Sequence, residues 1–353
     1  MKPSRPNLSE LARHLGVSIA TVSNALSGKG RLSPELAKRI RDAADELGYV
    51  PSQAGRALRT GRSGVLGLVL PDIGNPLYPE IAQEIERVAT GAGYGVLIAN
   101  SRDESAAQDK AIFQLIERGV DGIVIVPRRG TKVPETACPI AIIDTPTTPR
   151  NTVSADHFEG GAEVARHLAA LGHHKILLIG DDPSSNVQNA RVNGMRSGLS
   201  DAQEVETIWI VEIEARRGKG CALDLAGWRA RGFTAFACVS DPHALRALTE
   251  LQSAGIAIPA EATITGFDNL QWSSFISPPL TTVKMNMPEI ATLALEALFE
   301  AIKDRDVSDD TPSPPVTARK AAVPMELVIR RSSGPAPEGQ PSAGLIQEES
   351  KHA

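Results

Sequence analysis

Val17-Ser-Ile-Ala-Thr-Val-Ser-Asn-Ala-Leu26 is the stretch on which the interpretation of this 353-residue chain depends. It follows Asn7-Leu-Ser-Glu-Leu-Ala-Arg-His-Leu-Gly16, in which apolar residues recur at helical spacing and Asn7 with Glu10 forms a capping-box pattern. Gly16 is suited to the left-handed conformation that ends a helix, and the second stretch opens with its own capping serine. The pair therefore predicts a helix-turn-helix, whose second helix enters the major groove of DNA.

The polar face of the second helix favours DNA over the alternative, an ordinary helical hairpin in a protein core. The short polar side chains on that face, suited to phosphates and base edges, are Ser18, Thr21, Ser23 and Asn24. The loop after this helix adds two cations, Lys29 and Arg31, where a contact with the DNA backbone would help. A third helix is predicted from its cap at Ser33 to its end at Gly48.

Charge is unevenly distributed along the chain. Residues 1–62 carry 11 Lys and Arg against 5 Asp and Glu, a net charge of +6, and the remainder has a net charge of −11. A small basic head on an acidic body fits a polyanionic partner for the head alone. The three cysteines are odd in number and widely spaced, which favours a reducing cytoplasm over a disulfide framework.

The sequence also indicates a location away from membranes. No apolar run approaches the ~18 residues of a membrane span, and no signal-peptide core precedes the first helix. We therefore expect a cytoplasmic protein.

Residues 51–62 form a weakly helical segment with one large apolar residue, Leu58. One interpretation is an interdomain linker. The other is a segment that folds on DNA and inserts Leu58, with Arg56 beside it, into the minor groove.

From Val65 onward, apolar strands alternate with amphipathic helices in two successive series. Such strands predict parallel sheets covered by helices on both faces. The predicted fold class is thus an N-terminal all-α helix-turn-helix headpiece and an α/β core of two doubly wound parallel-sheet lobes. The second series includes a predicted strand over Thr207–Val211 and a predicted helix over Gly220–Ala230. The tail from Ser332 is rich in Gly, Pro and Ser, which predicts disorder.

Ligands of doubly wound sheets bind beyond the carboxyl ends of the strands. The polar residues predicted at those ends are Asp72, Asn100, Asp144, Asp181, Asp182, Ser240, Asp241, Asp268 and Asn269. Arg191, early in the helix after Gly180, points to the same region. Many carboxylates and amides with one arginine suit a polyhydroxylated ligand. Each residue taken alone has an alternative role, which is to cap the next helix.

Motifs of enzymes are missing or misplaced. Gly91-Ala-Gly-Tyr-Gly95 follows a helix and precedes a strand, the reverse of a dinucleotide-binding loop. His173-His174 precedes a strand and has no third metal ligand at useful spacing. We therefore expect a protein that is not an enzyme and has no cofactor or metal site.

Nine motifs give the chain a resemblance to LacI/GalR-type bacterial transcription regulators over about residues 7–331. They are Val17-Ser-Ile-Ala-Thr-Val-Ser-Asn-Ala-Leu26, Gly48-Tyr-Val-Pro51, Leu58-Arg-Thr-Gly61, Pro71-Asp-Ile-Gly-Asn-Pro76, Val120-Asp-Gly-Ile123, Asp156-His-Phe-Glu-Gly-Gly161, Arg191-Val-Asn-Gly194, Gly266-Phe-Asp-Asn269 and Pro278-Pro-Leu-Thr-Thr-Val283. The resemblance implies a headpiece, a hinge helix and a two-lobed core like a periplasmic sugar-binding protein.

The boundaries that follow are 1–50 for the headpiece, 51–62 for the hinge, 63–331 for the core and 332–353 for the disordered tail. Within the core, the first lobe would comprise about 63–158 and 289–320, and the second about 159–288 and 321–331. The chain would cross between the lobes near residues 156–161, 286–289 and 320–325.

Site residues also follow from the resemblance. The positions that match base-reading residues of the family's recognition helix are Ile19, Ala20 and Asn24. Leu58 matches the leucine that the family inserts into a central base step. Arg191 and Asp268 match the most recurrent effector ligands of the family. The further effector positions carried over are Asp72, Asp144, Asp156 and Asp241.

The resemblance implies a homodimeric repressor on double-stranded, pseudo-palindromic operator DNA, released by a small carbohydrate-like effector such as a sugar or polyol. Ala215 stands where many members have an aromatic that stacks on the ligand, which disfavours a purine. The tail has no leucine heptads, which favours a dimer over a tetramer. A corepressor such as a nucleobase or nucleoside, or an activator, remains an alternative on the same fold. A transport-type sugar-binding protein would share the core, but it needs a signal peptide and no headpiece.

Overall fold

The computed structural model describes residues 7–27, 32–49, 61–102, 105–127, 131–305, 316 and 322–337. The chain divides into two compact units, Met1–Gly64 and Val65–Ala353. Four residues with predicted DNA contacts lie outside the described residues, and their roles stay predictions: Lys29, Arg31, Arg56 and Leu58.

Capping side chains set the ends of the helices in the first unit. These helices are α1 (Leu8–Leu15), α2 (Ile19–Ser27) and α3 (Pro34–Glu46). The Asn7 side chain accepts the backbone N–H of Glu10, and the Glu10 carboxylate accepts that of Asn7, each at 2.9 Å. Gly16 ends α1 with a φ of 69°, and the Ser18 hydroxyl accepts the N–H of Thr21 at 3.0 Å. The predicted capping box and helix-turn-helix are therefore confirmed.

One apolar core joins the three helices of this unit. The side chains buried in it are Leu11, Ala12, Leu15, Val22, Ala25, Ile40, Ala43 and Ala44. Because α1, α2 and α3 all contribute, the first unit has a core of its own.

The first lobe of the second unit is a parallel sheet covered on both faces. Its strands are β1 (Val65–Leu70), β2 (Gly95–Asn100), β3 (Gly122–Ile125), β4 (Ile140–Asp144), β5 (Val153–Ala155) and β11 (Ala322–Val323), and its helices are α4 (Leu77–Gly91), α5 (Ser105–Glu117) and α11 (Met287–Arg305). The strand order is β11-β5-β4-β3-β1-β2, with every pair parallel. Helices α4 and α11 share one apolar cluster with the sheet, and α5 belongs to another.

The second lobe repeats this arrangement. Its strands are β6 (Lys175–Gly180), β7 (Glu204–Trp209), β8 (Ala235–Cys238), β9 (Thr263–Thr265), β10 (Thr282–Met285) and β12 (Met325–Val328), and its helices are α6 (His157–Ala170), α7 (Asn186–Ser197), α8 (Ile210–Arg217), α9 (Leu225–Ala230) and α10 (Asp241–Ser253). A parallel sheet has the order β7-β6-β8-β9, and β10 pairs with β12 in antiparallel fashion. The predicted fold class is confirmed. Among the described helices, none has both the length and the apolarity needed to cross a bilayer.

The chain passes between the lobes at three places. Strand β5 belongs to the first sheet, whereas α6, which follows at once, packs in the second lobe. Strand β10 lies in the second lobe, but α11 packs in the first. Strand β11 pairs with β5, and β12 pairs with β10. Because Ala322–Val323 extend the first sheet, the third passage lies between β11 and β12, within the expected stretch 320–325 and slightly after the approximate boundary at 321.

The segment after β7 differs from its prediction. The predicted strand Thr207–Val211 ends at Trp209, and Ile210 begins helix α8 with its side chain buried. The predicted helix over Gly220–Ala230 is helical only from Leu225, because Gly218, Gly220 and Asp224 all have positive φ. A short apolar run fits a strand and a buried helix equally well, so its periodicity could not separate the two.

The tail also departs from its prediction. Ser332 is fully buried, and its carbonyl accepts the N–H of Ile264, next to the edge of the second sheet, at 2.9 Å. Ala336 donates its N–H to the carbonyl of Leu171 at 2.8 Å. Disorder from Ser332 onward is therefore wrong for residues 332–337. Their composition offers little apolar burial, but their backbone groups complete hydrogen bonds that a sheet edge would otherwise leave open.

Candidate functional site

Helix α2 presents the three predicted base-reading side chains on its outer surface. Val22 and Ala25 are buried against α1 and α3, whereas Ile19, Ala20 and Asn24 are exposed. Ile19 has half of its surface accessible, which is unusual for a large apolar side chain. An aliphatic side chain in this place can contact a thymine methyl group, and an asparagine can pair with adenine.

The predicted phosphate-contacting residues of α2 also stabilise the helix start. Beyond its bond to the N–H of Thr21, the Ser18 hydroxyl lies 2.8 Å from the Thr21 hydroxyl. Ser18 is exposed, and Thr21 and Ser23 are half-buried. The helix start therefore stays intact without DNA, and hydroxyl groups with rotatable hydrogens remain at its surface.

In the second unit, two helices approach closely and bring Arg191 to the interlobe crossing. Helices α6 and α7 meet through Gly161 and Gly194, where a Cβ atom would overlap the carbonyl oxygens of Arg191 and Phe158 respectively. The glycines of two of the motifs therefore have a packing role. They allow Arg191 on α7 to lie beside the first residue of α6, His157.

The guanidinium of Arg191 is buried and hydrogen-bonded on several sides. It donates from Nη1 to the Val239 carbonyl at 2.6 Å and to Asp268 Oδ1 at 2.9 Å, and from Nε to His157 Nδ1 at 3.3 Å. It also lies over the ring of Phe267, 4.0 Å from its centre. Arg191 and Asp268 leave only 5% and 3% of their side chains accessible. The two residues predicted to hold the effector are therefore brought together, and they pair with each other.

The environment of Asp268 disfavours its charge in spite of this pairing. Burial raises its pKa to about 6, and the carboxylate of Glu80 acts in the same direction, while Arg191 opposes both. Asp268 also has a φ of 109°, a conformation rare for a residue with a side chain. Strain of this kind persists only where the surrounding structure enforces it, and it is frequent at binding sites.

Asp241, predicted as an effector ligand, is occupied within the lobe. It is fully buried, its Oδ1 accepts the Thr282 hydroxyl at 2.5 Å, and its Oδ2 accepts the N–H of Leu270 at 2.8 Å. Burial, followed by the nearby Asp268 carboxylate, raises its pKa to about 7. These contacts give Asp241 a structural role behind the cleft.

Three other predicted carboxylates make local hydrogen bonds. Asp156 caps α6, because its Oδ1 accepts the N–H of Glu159 at 3.0 Å. Asp72 accepts the N–H of Gly74 at 2.8 Å and is exposed. Asp144 accepts the hydroxyl of Thr148 at 2.5 Å, and burial raises its pKa to about 6. The capping alternative thus describes Asp156, while Asp72 keeps an exposed carboxylate at the end of β1.

Two residues of the cleft were missed by the sequence analysis. His157 is buried beside Arg191 and the ring of Phe267, and burial followed by the charge of Arg191 holds its pKa well below the usual range. Burial raises the pKa of Glu80 on α4, and the backbone of Gln271 in the other lobe acts in the opposite direction. His157 directly follows Asp156 in a quoted motif, which was a usable signal. Glu80 lies on α4 outside the polar strand ends that the sequence analysis considered, so the sequence gave no signal for it.

The chain combines a three-helix unit, whose second helix is exposed, with two parallel-sheet lobes, the second of which contains the buried arginine–aspartate pair. This combination defines a helix-turn-helix regulator with a ligand-binding core. Two family models match the chain: residues 7–52 match "Bacterial regulatory proteins, lacI family", and residues 165–333 match "Periplasmic binding protein-like domain". The chain is 30% identical to the HTH-type transcriptional regulator DegA of Bacillus subtilis (strain 168) over 339 residues, 92% of this chain and 97% of that protein. It therefore belongs to the LacI family of bacterial regulatory proteins.

Solved structures show the same fold. A lac repressor dimer bound to operator and the anti-inducer ONPF has a TM-score of 0.74 at 21% identity, covering 94% of this chain and all of that one. A periplasmic binding protein/LacI transcriptional regulator from Alkaliphilus metalliredigens QYMF, complexed with D-xylulofuranose, has a TM-score of 0.64 at 21% identity over 76% of this chain and 99% of that one. The protein is a DNA-binding transcriptional regulator, which excludes the enzymatic interpretation.

Proposed function

We propose that the protein is a repressor that leaves a pseudo-palindromic operator when a sugar or polyol binds between its two lobes. The observation that carries this proposal is the meeting of Arg191, Asp268 and His157 at the interlobe crossings. An effector that competes for these groups changes contacts at the place where the lobes join. It acts through its different affinity for the two arrangements of the lobes.

The chemistry of the cleft supports a polyhydroxylated effector. Asp268 and Arg191 offer an acceptor and a planar set of donors side by side, which match paired hydroxyl groups. Asp72 adds an exposed acceptor at the end of β1. The relative from Alkaliphilus metalliredigens, bound to D-xylulofuranose, agrees with a sugar in this fold. We assign the effector contacts to Arg191 and Asp268 first, with Asp72 and Asp144 as further contacts.

On the DNA side, we assign base reading to Ile19, Ala20 and Asn24, the exposed side chains of α2. Backbone contacts fall to Ser18, Thr21 and Ser23, and to the two loop cations, Lys29 and Arg31. The segment with Arg56 and Leu58 would occupy the minor groove. Since the operator is proposed to have two-fold symmetry, two copies of the chain are needed.

The edge of the first lobe supports self-association. Strand β2 lies at the end of its sheet, and Leu97 and Ile98 on it are exposed, as is Phe113 on the adjacent α5. Exposed apolar side chains on an edge strand favour a protein partner. We expect Ile98→Lys to shift the protein from dimer to monomer in sedimentation velocity, while Glu117→Lys, a charge change at the end of α5, leaves the dimer intact. A variant Ile98→Lys that remains dimeric would place the dimer interface elsewhere.

The test of the proposed function is fluorescence anisotropy on DNA from upstream of the protein's own gene. Titrations are made with and without a panel of sugars, polyols and nucleosides, at fixed salt because phosphate contacts make affinity steeply salt-dependent. Tight binding that one sugar or polyol releases supports the proposal. If a nucleoside or another ligand instead strengthens DNA binding, that ligand is a corepressor and the proposed release by a sugar or polyol is wrong. No binding at low salt would contradict the DNA-binding assignment of α2.

A further inference from the structure

The residues after β12 form a strap along β9, the last strand in the order of the second sheet. This strap, residues 332–336, runs alongside β9. The Ser332 carbonyl accepts the N–H of Ile264 at 2.9 Å, and the Ser332 hydroxyl donates to the Ile264 carbonyl at 2.6 Å. The Gly334 N–H donates to the Thr263 hydroxyl at 3.0 Å. The strap therefore completes hydrogen bonds of β9 through its backbone and hydroxyl groups, and it buries little apolar surface that could stabilise it further.

His173 fastens the strap to the lobe. It is fully buried, with Nε2 at 3.0 Å from the Gly334 carbonyl and Nδ1 at 2.9 Å from the Thr234 hydroxyl. A carbonyl oxygen only accepts, so Nε2 carries a proton and donates to Gly334. In the neutral imidazole Nδ1 accepts from the Thr234 hydroxyl, so both ring nitrogens are satisfied without a charge, and full burial disfavours the charged form.

A second histidine contacts the next strap residue. His167 on α6 lies 2.9 Å from the hydroxyl of Ser333, which in turn lies 2.7 Å from the hydroxyl of Thr281. The third histidine of the group, His174, has a buried Nδ1 with no hydrogen-bond partner among the described residues. Two imidazoles thus contact the strap, one from α6 and one from the turn before β6, and His174 follows His173 directly in that turn.

Few opposite charges are available to these imidazoles. On the adjoining strands, Lys175 pairs with Glu204 at 2.6 Å. Before β9, the Glu261 carboxylate accepts the N–H of Ala257 at 2.8 Å. The two hydrogen-bond partners of the His173 ring are neutral: the hydroxyl of Thr234, just before β8, and the carbonyl of Gly334 in the strap. A proton added to His173 therefore gains no carboxylate in these hydrogen bonds, and it is repelled by the neighbouring imidazoles if they are charged.

We propose that residues 332–336 are an acid-labile strap, fastened by neutral His173 and released from the second lobe when His173 and His167 take up protons. Burial lowers the pKa of both imidazoles in the folded protein. Since the released form has ordinary imidazoles, it binds more protons. The stability of the strap is therefore complete above pH ~6.5 and falls as the pH drops below that value.

Hydrogen–deuterium exchange of the full chain tests this proposal. After correction for intrinsic rates, exchange in a peptide covering residues 330–337 should rise at least about tenfold between pH 7.5 and 5.5, because the open-state imidazole of the fully buried His173 alone gives about that factor and the less buried His167 adds to it. A peptide covering β1 should show no such step. Uniform protection of the strap across this range would overturn the proposal.

A matched pair of variants identifies the fastening residue. His173→Gln keeps an N–H donor for Gly334 and an acceptor for Thr234 but takes up no proton, so the pH step should shrink to less than half. His243→Gln, which changes a histidine bonded to Ser240 on α10, should keep the full step. A full step in His173→Gln would overturn the role of His173.

If His173→Gln fails to fold, a chain ended after Arg331 replaces it. The Tm of the full chain should exceed that of the shortened chain at pH 7.5, and the difference should shrink steadily toward pH 5. A difference that stays constant with pH would overturn the proposal. None of these measurements requires the effector or the operator, so they stand apart from the proposed function.

Discussion

The exposed face of α2 and the surroundings of Arg191 are the two proposed binding regions of this molecule, and they are built in opposite ways. On α2, Ile19 and Asn24 project outward while Val22 maintains the core. In the cleft, Arg191 and Asp268 are buried and make hydrogen bonds that also hold the lobe together. Side chains on the first surface are separable from folding, whereas those in the second are not. Substitutions should therefore affect DNA binding cleanly on α2 but mix stability with ligand binding in the cleft.

The largest expected effect is that of Arg191→Met. It leaves Asp268 buried without its partner, and breaking one side of a buried pair costs about 3 to 5 kcal/mol in the free energy of unfolding. Urea denaturation measures this loss, and the effector response should vanish as well. The double variant Arg191→Met/Asp268→Asn should recover more than half of the lost stability. A single variant as stable as the parent would mean that the cleft is as separable from folding as α2.

The pH dependence of stability gives the next largest effect. Asp241 has a pKa raised from 3.8 to about 7, so the folded chain keeps a proton that the unfolded chain releases. The contribution of Asp241 to the free energy of unfolding therefore falls as the pH rises from about 4 to about 7. In Asp241→Asn the amide oxygen can accept from the Leu270 N–H and the amide nitrogen can donate to the Thr282 hydroxyl, so contacts with both residues remain without a titrating group. Across that range the variant should lose about 2 kcal/mol less than the parent in urea denaturation. Parallel pH profiles would contradict the raised pKa.

Asn24→Ala tests the other side of the comparison. We expect a loss of about 1 to 3 kcal/mol in operator affinity, because an amide that pairs with a base edge has that value. The free energy of unfolding should stay within about 0.5 kcal/mol of the parent, since the side chain is exposed. Anisotropy and urea denaturation on the same preparation measure both quantities. A loss of stability as large as the loss of affinity would remove the distinction between the two regions.

The smallest effect is expected at Leu58, whose role rests on the sequence. If the side chain enters a base step, Leu58→Ala should reduce operator-specific affinity by about 1 kcal/mol or more and non-specific affinity by less. Competition anisotropy with operator and random DNA gives both values. Equal losses on the two DNAs would show that Leu58 is only part of a linker.

The sequence predicted the fold wherever local signals agreed with packing. The capping box at Asn7, the glycine at the end of α1 and the alternation of strands and helices all act over a few residues, so they can be recognised without tertiary contacts. Prediction failed after β7, where a short apolar run begins helix α8 at Ile210. It failed again at Ser332, whose order depends on an edge strand about 70 residues earlier in the chain.

The candidate site divides in the same way. Ile19, Ala20 and Asn24 were placed correctly on an exposed face, because helical periodicity fixes which side of a short helix is buried. Arg191 and Asp268 were also named from the sequence, but their direct pairing was not foreseen. The predicted role of Asp241 as an effector ligand depended on its position at a strand end, which could not show that both of its oxygens are used within the lobe.

The sequence by itself determined that this protein has a helix-turn-helix headpiece and a two-lobed α/β core, because periodicity, caps and glycines are local properties of the chain. Only the tertiary structure decided which polar residues form the cleft and which support it. Hydrogen-bond partners such as His157 and Asp268 come from separate elements, Asp268 lying 77 residues from Arg191. Burial also decides their protonation, because the free energy of a charge depends on the atoms that the fold packs around it.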